Sequence, residues 1–347
     1  MISRIVRIIS IPIIVFILAV ILIPRSYIIP GSYNVNNPVL RAGTQYWNLP
    51  TGSRIAYTHI KANGHQQPYP IIFLQGGPGG PIYDQNILTL SSLADAGFDV
   101  YLYDQIGCGD SERLANIEEY TVDRHRLDLE AIVNIIGTEK IILIGQSWGS
   151  MLATEYLAFN TTKVDKVIFT GPGYILPENQ SLREIKAPDS LNLRSPQFTN
   201  RQGRRKIYNW RTNTVEFCAK LFNVKLASDK EMDAFETLLD HEMSKSTVCD
   251  TSVIESMDYN KSGYYSMIKT VQSFNSTVDI RTKLKNCKVP ALIMKGQCDG
   301  IKWGYITEFL ELFNNHKLII VPGAGHSISR EQPELYIKYI SDFLQGT

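Results

Sequence analysis

"KIILIGQSWGSML", residues 140 to 152, decides how the chain is read. Lys140 leads into Ile141-Ile142-Leu143-Ile144, a short apolar run that reads as a buried strand. Beyond it Met151, Leu152, Tyr156 and Phe159 recur near helical spacing. Ser147 therefore stands at a strand-to-helix junction, with Gly145 two residues before it and Gly149 two residues after. A very tight turn there strains the central residue and crowds its neighbours. Glycine relieves the crowding because it has no Cβ. A serine N-cap is the common alternative. The strand before and the helix after favour instead a turn that presents the serine as a nucleophile. The helix N-terminus beneath it favours developing negative charge.

The chain around this turn has 347 residues and 44% hydrophobic content, enough for one large domain or a domain carrying an insertion. Its formal net charge of +1 gives no reason to expect nucleic acid as a partner. Cys108, Cys218, Cys249, Cys287 and Cys298 form no C-x-x-C pair, so neither a metal site nor a redox motif is expected. No cofactor is called for. The N-terminus differs from the rest. Arg4 and Arg7 precede Ile8 to Ile23, which is apolar apart from Ser10 and is closed by Pro24-Arg25. Residues 1–25 read as a single membrane anchor, with a cleaved secretion signal as the alternative. The arginines before the run leave the N-terminus in the cytoplasm and the remainder outside. An oxidising location permits one disulfide, and Cys218–Cys249 is the expected pairing.

Residues 26–43 read as a linker. "SRIAYTHIKA" (53 to 62) alternates like an antiparallel strand, and "YPIIFLQ" (69 to 75) and "FDVYLYDQ" (98 to 105) read as strands. A helix is expected over 122 to 137, then the strand and helix around Ser147, then a strand at 166 to 173. Residues 174–285 break this rhythm. They are polar and helical in pattern and read as an inserted cap. The rhythm returns with strands at 289 to 296 and 317 to 321, a helix near 303 to 314, and a last helix with Tyr336, Tyr339, Ile340 and Phe343 on one face. Alternating strands and helices predict an α/β protein with a mostly parallel sheet covered on both faces. The expected divisions are thus 1–25, a core in two parts (26–173 and 286–347) and the insertion 174–285.

A serine hydroxyl needs a base to take its proton, and the base needs an acid to orient it. In such sheets both come from loops after later strands, in the order serine, acid, histidine. The strand at 289 to 296 ends in Gln297-Cys298-Asp299-Gly300, and the strand at 317 to 321 leads to Gly325-His326-Ser327. Of six histidines, only His326 follows a strand in this way. Ser147, Asp299 and His326 are the candidate catalytic residues. The oxyanion that forms during acyl transfer needs two N–H donors. Trp148, after the nucleophile, supplies one. Gly77 in "QGGPGG" (75 to 80), or Gly76 beside it, supplies the other.

"GGPGG", "DQIGCGDS", "GQSWGS", "GQCDG" and "GAGHS" occur in this order. Together they resemble the α/β-hydrolase superfamily, and within it the proline iminopeptidase branch of serine peptidases. The resemblance spans about residues 40 to 173 and 285 to 345. It implies the α/β-hydrolase fold, an acyl-enzyme on Ser147, and release of an N-terminal residue from peptides. It also implies cap glutamates that bind the substrate's free amine, for which Glu178, Glu184 and Glu216 are the candidates. The pattern departs from that branch at Gln75, where histidine is usual, and at Ile106 and Asp110, where arginines are usual. A carboxylesterase on the same fold is the alternative activity. An inactive membrane-tethered binding module is a third reading, against which the intact Ser147, Asp299 and His326 argue.

Overall fold

The computed structural model describes residues 30–254 and 261–346. Eight strands form one sheet in the order β1-β2-β4-β3-β5-β6-β7-β8. The strands are β1 (Gln45–Asn48), β2 (Arg54–Ile60), β3 (Ile71–Leu74), β4 (Val100–Tyr103), β5 (Ile141–Gln146), β6 (Val164–Thr170), β7 (Ala291–Gly296) and β8 (His316–Val321). β1, β2 and β4 pair antiparallel, and every other pairing is parallel. The helices are α1 (Asp84–Asp95), α2 (Val122–Ile136), α3 (Trp148–Asn160), α4 (Asn200–Ile207), α5 (Trp210–Phe222), α6 (Asp229–Ser244), α7 (Tyr264–Ser273), α8 (Arg281–Leu284), α9 (Trp303–Leu312), α10 (Ile328–Glu331) and α11 (Pro333–Gln345).

The continuous apolar runs of β3, β5 and β7 are buried from end to end, apart from the partly exposed Gln146. Successive residues of each run serve opposite faces of the sheet. Ile72, Leu143 and Ile293 join one core with Leu152 and Tyr156 of α3 and Phe309 of α9. Ile71, Ile142 and Leu292 join the other with Leu90 and Leu93 of α1 and Tyr336 and Ile340 of α11. Helix α2 starts where the Thr121 hydroxyl accepts from the Arg124 N–H and ends at Gly137, which takes φ +72°.

Between β6 and β7 the described residues form helices and irregular chain and no strand. This segment rests on three loops at the carboxyl ends of the parallel strands. Gly263 N–H donates to Gly79 O after β3 (2.8 Å), Arg194 N–H to Gln297 O after β7 (2.8 Å), and Ser327 N–H after β8 to Thr247 O (2.9 Å).

Two expectations need comment. The disulfide joins Cys249 to Cys298, with Cα atoms 5.4 Å apart, while Cys218 is a free thiol on α5. The expected Cys218–Cys249 pairing is thereby corrected. The partner of Cys249 is chosen by the helical segment folding back onto the loop after β7, which sequence spacing does not reveal. The expected anchor at Ile8 to Ile23 lies outside the described residues. Among the described residues no helix is long and apolar enough to cross a membrane.

Candidate active site

Ser147 has φ +54° and ψ −116° between β5 and α3. A non-glycine residue in that region stores roughly 1–3 kcal/mol of strain, held by the surrounding fold. The holding contacts are specific. Ser147 N–H donates to Thr170 O at the end of β6 (2.9 Å), and Ser147 O receives the N–H of Ser150 (2.9 Å). A Cβ on Gly145 would collide with the Gly149 carbonyl, and one on Gly149 with the Leu74 carbonyl. The two glycines are there so that strand, turn and helix can pass this closely.

His326 lies in the loop between β8 and α10, and Asp299 in the loop after β7. Their side chains meet, with His326 Nδ1 3.1 Å from Asp299 Oδ1. The His326 ring lies against Gly171, where a Cβ would stand 2.9 Å from Nδ1. Ser147 and His326 thus sit against Thr170 and Gly171, consecutive residues at the end of β6. The Ser147 hydroxyl and His326 are not hydrogen-bonded to one another. His125, by contrast, is wholly buried against Thr270, and burial drives its pKa down to about 3. His59 of β2 pairs with Asp99, the residue before β4.

Asp299 Oδ1 also accepts the Ile301 N–H (2.9 Å). Asp299 Oδ2 has no hydrogen-bond partner, but the Lys295 Nζ stands 3.6 Å away. Lys295 is 1% exposed, and its ammonium donates to the Asp299 and Ile301 carbonyls at 3.0 and 2.9 Å. Burial alone would raise the Asp299 carboxyl. The His326 charge and hydrogen bond, the Lys295 ammonium and the Ile301 N–H outweigh it and hold the pKa at about 2. An ionised Asp299 only accepts, so His326 Nδ1 must be the donor and Nε2 is left as the ring's basic position. Lys295 had no sequence signal beyond being a lone charge in an apolar strand.

Gly76 lies directly against the nucleophile turn, for a Cβ there would stand 3.2 Å from both Ser147 Cβ and Gln146 O. Gly77 follows with φ +121°. Among the described residues neither Gly77 N–H nor Trp148 N–H meets an acceptor. Gln105 braces these two elements. Its Nε2 donates to Gln75 O (2.9 Å), and its Oε1 accepts from the Trp148 indole (2.8 Å). Asp104 beside it is wholly buried and accepts from Ile82 N–H, Asp110 N–H and Arg41 Nη2. The "DQIGCGDS" motif therefore holds the loop after β3 and the start of α3 in register. Asp110 pairs with Lys261 of the helical segment (2.9 Å).

The three candidate amine-binding glutamates have other partners. Glu178 is engaged by Arg183 (2.6 Å) and by the Tyr305 hydroxyl. Glu184 is exposed. Glu216 pairs with Lys220 (2.5 Å) and Arg204 (3.7 Å). None of them bonds to Ser147, Asp299 or His326. A different acidic group lies deeper in the segment. Asp233, Glu236 and Asp240 are packed on α6, and Glu236 Oε2 is buried without a partner. Burial pushes Asp233 and Asp240 up to about 6, and burial together with Asp240 pushes Glu236 well above the carboxylate range. Asp233 accepts the N–H of Tyr264 (3.0 Å), the residue after Gly263, which is bonded to the Gly79 carbonyl. The group is thus linked through two adjacent residues to the glycine loop. The i, i+3, i+7 spacing of Asp233, Glu236 and Asp240 was the available signal, but alone it describes any solvated helix face.

Comparison with known proteins bears on the fold and the family. A proline iminopeptidase of Heyndrickxia coagulans is 27% identical over 298 residues, covering 85% of this chain and 96% of that protein. One from Saccharolobus solfataricus is 23% identical over 305 residues, covering 84% and 89%. Among solved structures, the proline iminopeptidase of Mycobacterium smegmatis superposes with a TM-score of 0.57 at 19% identity, covering 87% of this chain and 98% of that one. An esterase from Exiguobacterium antarcticum gives 0.56 at 17%, covering 87% and 99%. The model of the alpha/beta hydrolase fold matches residues 69–333, and the chain belongs to that family.

Proposed function

We propose that the protein is a serine aminopeptidase that releases an N-terminal residue, proline or one like it, from short peptides. The observation that carries this is the His326–Asp299 pair seated on Gly171 beside the strained Ser147 turn. Ser147 Oγ attacks the scissile carbonyl while His326 Nε2 takes its proton. The Gly77 and Trp148 N–H groups receive the oxyanion. His326 then gives the proton to the leaving amine, and the acyl-enzyme remains on Ser147. Water, deprotonated by the same imidazole, attacks the ester and restores the serine. Hydrogen bonds of this kind are commonly loose without substrate and tighten in the complex.

An exopeptidase must recognise a free ammonium, and a desolvated carboxyl group is the natural partner. Glu236 is the better candidate than Glu178 or Glu184, because it is buried with Oε2 unpartnered. It is better too than Glu216, whose Oε2 is likewise buried without a hydrogen bond but which is ion-paired with Lys220 and Arg204. Asp233 beside it is held by Arg113 (3.0 Å). Residues 174–285 then act as a cap that limits the site to one residue beyond the scissile bond. The test compares a prolyl amide, its N-acetylated form and a short acyl ester. Cleavage confined to the free amine supports the aminopeptidase. Equal cleavage of blocked and free amides, or a preference for the ester, transfers the protein to the esterase reading.

We also infer that the catalytic domain lies outside the cytoplasm, tethered by Ile8 to Ile23. The Cys249–Cys298 disulfide supports this, because such bonds persist in oxidising compartments. Membrane fractionation resistant to carbonate, with protease access from the outer side, is the expected result. Recovery of the full chain in the cytosol overturns it.

A further inference from the structure

Helix α5 buries Thr212, Val215 and Ala219 and turns the opposite face outward. That outward face carries Phe217 and Leu221, and Phe222, Val224 and Leu226 continue it past the helix end. These five are between 49% and 59% exposed. A contiguous group of large apolar side chains in water is uncommon on a monomer and marks an interaction surface. Phe217 and Phe222 pack edge to face with centroids 5.9 Å apart, so the group is a formed surface.

Two further observations say what covers it. The first is charge. Residues 200–230 hold eight lysines and arginines against two acids, Glu216 and Asp229. Arg204, Lys220 and Lys225 pair with those two acids, and Arg211 and Lys206 with Glu231 and Glu242, so that Arg201, Arg205 and Lys230 are the cations without an ion pair among the described residues. Arg204 and Lys220 border Phe217 and Leu221 around one shallow groove. The second is where the chain enters the domain. Gly31 N–H donates to Glu231 Oε1 (2.8 Å), and Glu231 is held by Arg211 of α5 at 2.6 Å. Tyr33 packs on Phe235 of α6, centroids 5.7 Å apart. The N-terminal chain therefore leaves the domain beside α5. Ile23 precedes Gly31 by eight residues, a reach of at most about 28 Å when fully extended. Any bilayer entered by Ile8 to Ile23 lies within that distance of the α5 region.

We propose that the outer face of α5 and the turn after it rest on an anionic lipid surface, the same one that the N-terminal run enters. The proposal rests on the tethered location inferred above and is independent of whether the substrate is an amide or an ester. Apolar side chains enter the acyl boundary while the flanking cations meet lipid phosphates, the arrangement of an interfacial amphipathic helix. The tether then does more than retain the enzyme, because it fixes which side of the cap faces the membrane.

The full chain carrying Leu221→Cys, in a Cys218→Ser background, is labelled with an environment-sensitive fluorophore. It is reconstituted into vesicles of phosphatidylcholine with phosphatidylglycerol, or of phosphatidylcholine alone, with brominated acyl chains. Val278→Cys, at an exposed position between α7 and α8, is the control. Quenching several-fold stronger at 221 than at 278, and weaker in the uncharged vesicles, is expected. Equal quenching at both positions in protein that co-floats with vesicles overturns the docking face while leaving the tether standing. Failure to co-float overturns both. Concentration-dependent burial of the 221 label without lipid, with a doubled mass in solution, assigns the face to a second copy and also overturns the proposal. Turnover measured on the same samples reports the hydrolase reading separately.

Discussion

Ser147 is held in its strained conformation by backbone contacts on both sides, the Thr170 carbonyl and the Ser150 N–H. Ser147→Ala leaves those contacts in place, so the fold is expected to survive. Turnover is expected to fall on the order of 10⁴-fold or more, and labelling by a fluorophosphonate to disappear. Normal turnover in this variant would remove Ser147 from the mechanism. Lys295 is a subtler case. Its ammonium stands 3.6 Å from the Asp299 carboxylate that meets His326, and so offsets part of the negative charge facing the ring. Lys295→Met leaves Asp299 with His326 as its remaining side-chain counter-charge. The acid limb of kcat/KM is therefore expected to move to higher pH, by on the order of one unit. Lys295→Gln, which keeps a donor but not the charge, should move it the same way. A uniform loss of activity with the limb unmoved would mean that Lys295 only packs the loop. The candidate Ser147, Asp299 and His326 were legible because each follows a strand in a glycine-bearing loop. Lys295 was not, since its meaning depends on a neighbour four residues on across a turn.

Helix α3 carries Glu155, which is 3% exposed with one carboxyl oxygen lacking a partner. Burial, aided by Asp123, raises its pKa to about 8. The native state then keeps a proton that the unfolded chain releases near an ordinary carboxyl pKa. Stability attributable to this group is full below that value and is lost as pH rises toward 8, by at most about 1.4 kcal/mol per pH unit. Glu155→Gln should raise Tm at pH 8 and change it little at pH 5; an equal change at both would show that Glu155 is ionised in the fold. At this scale the long apolar or periodic elements were readable. Strands β2 to β8 and helices α2, α3, α9 and α11 fall where the patterns put them. Strand β1 and helix α1 were among the elements not anticipated. Strand β1 has four residues with one buried side chain, Trp47, too little for alternation to register. Helix α1 buries Asn86 and Thr89 along with Leu90 and Leu93, which blurs its apolar face. The loop after β7 is tied by Cys249–Cys298 to the helical segment one residue before Asp299. Reduction should lower activity reversibly with little change in secondary structure. Loss of helix on reduction would instead mark the bond as a requirement of the fold.

Across the whole molecule, the helical segment between β6 and β7 touches the loops after β3, β7 and β8, and its buried acids are the part with unfinished chemistry. Burial and Asp240 both oppose the ionisation of Glu236. Glu236→Gln removes a group whose ionisation the fold opposes and should therefore not lower Tm near neutral pH. An arriving ammonium changes the balance. Asp233 already has Arg113 as its counter-ion (3.0 Å), and the ammonium gives Glu236 one, so that a proton can leave and a charged hydrogen bond can form, worth about 1.5–3 kcal/mol. Glutamine offers the same shape but cannot ionise. The variant's KM for a free prolyl amide should rise on the order of 10- to 100-fold, while kcat/KM for a short acyl ester, which carries no amine, stays near wild type. The ratio between the two substrates is the measurement. It separates recognition of the amine from damage to the cap, since a displaced cap would alter both. If the two substrates suffer alike, the α6 acids serve the cap's own packing, and the ammonium must be read by groups elsewhere in the site.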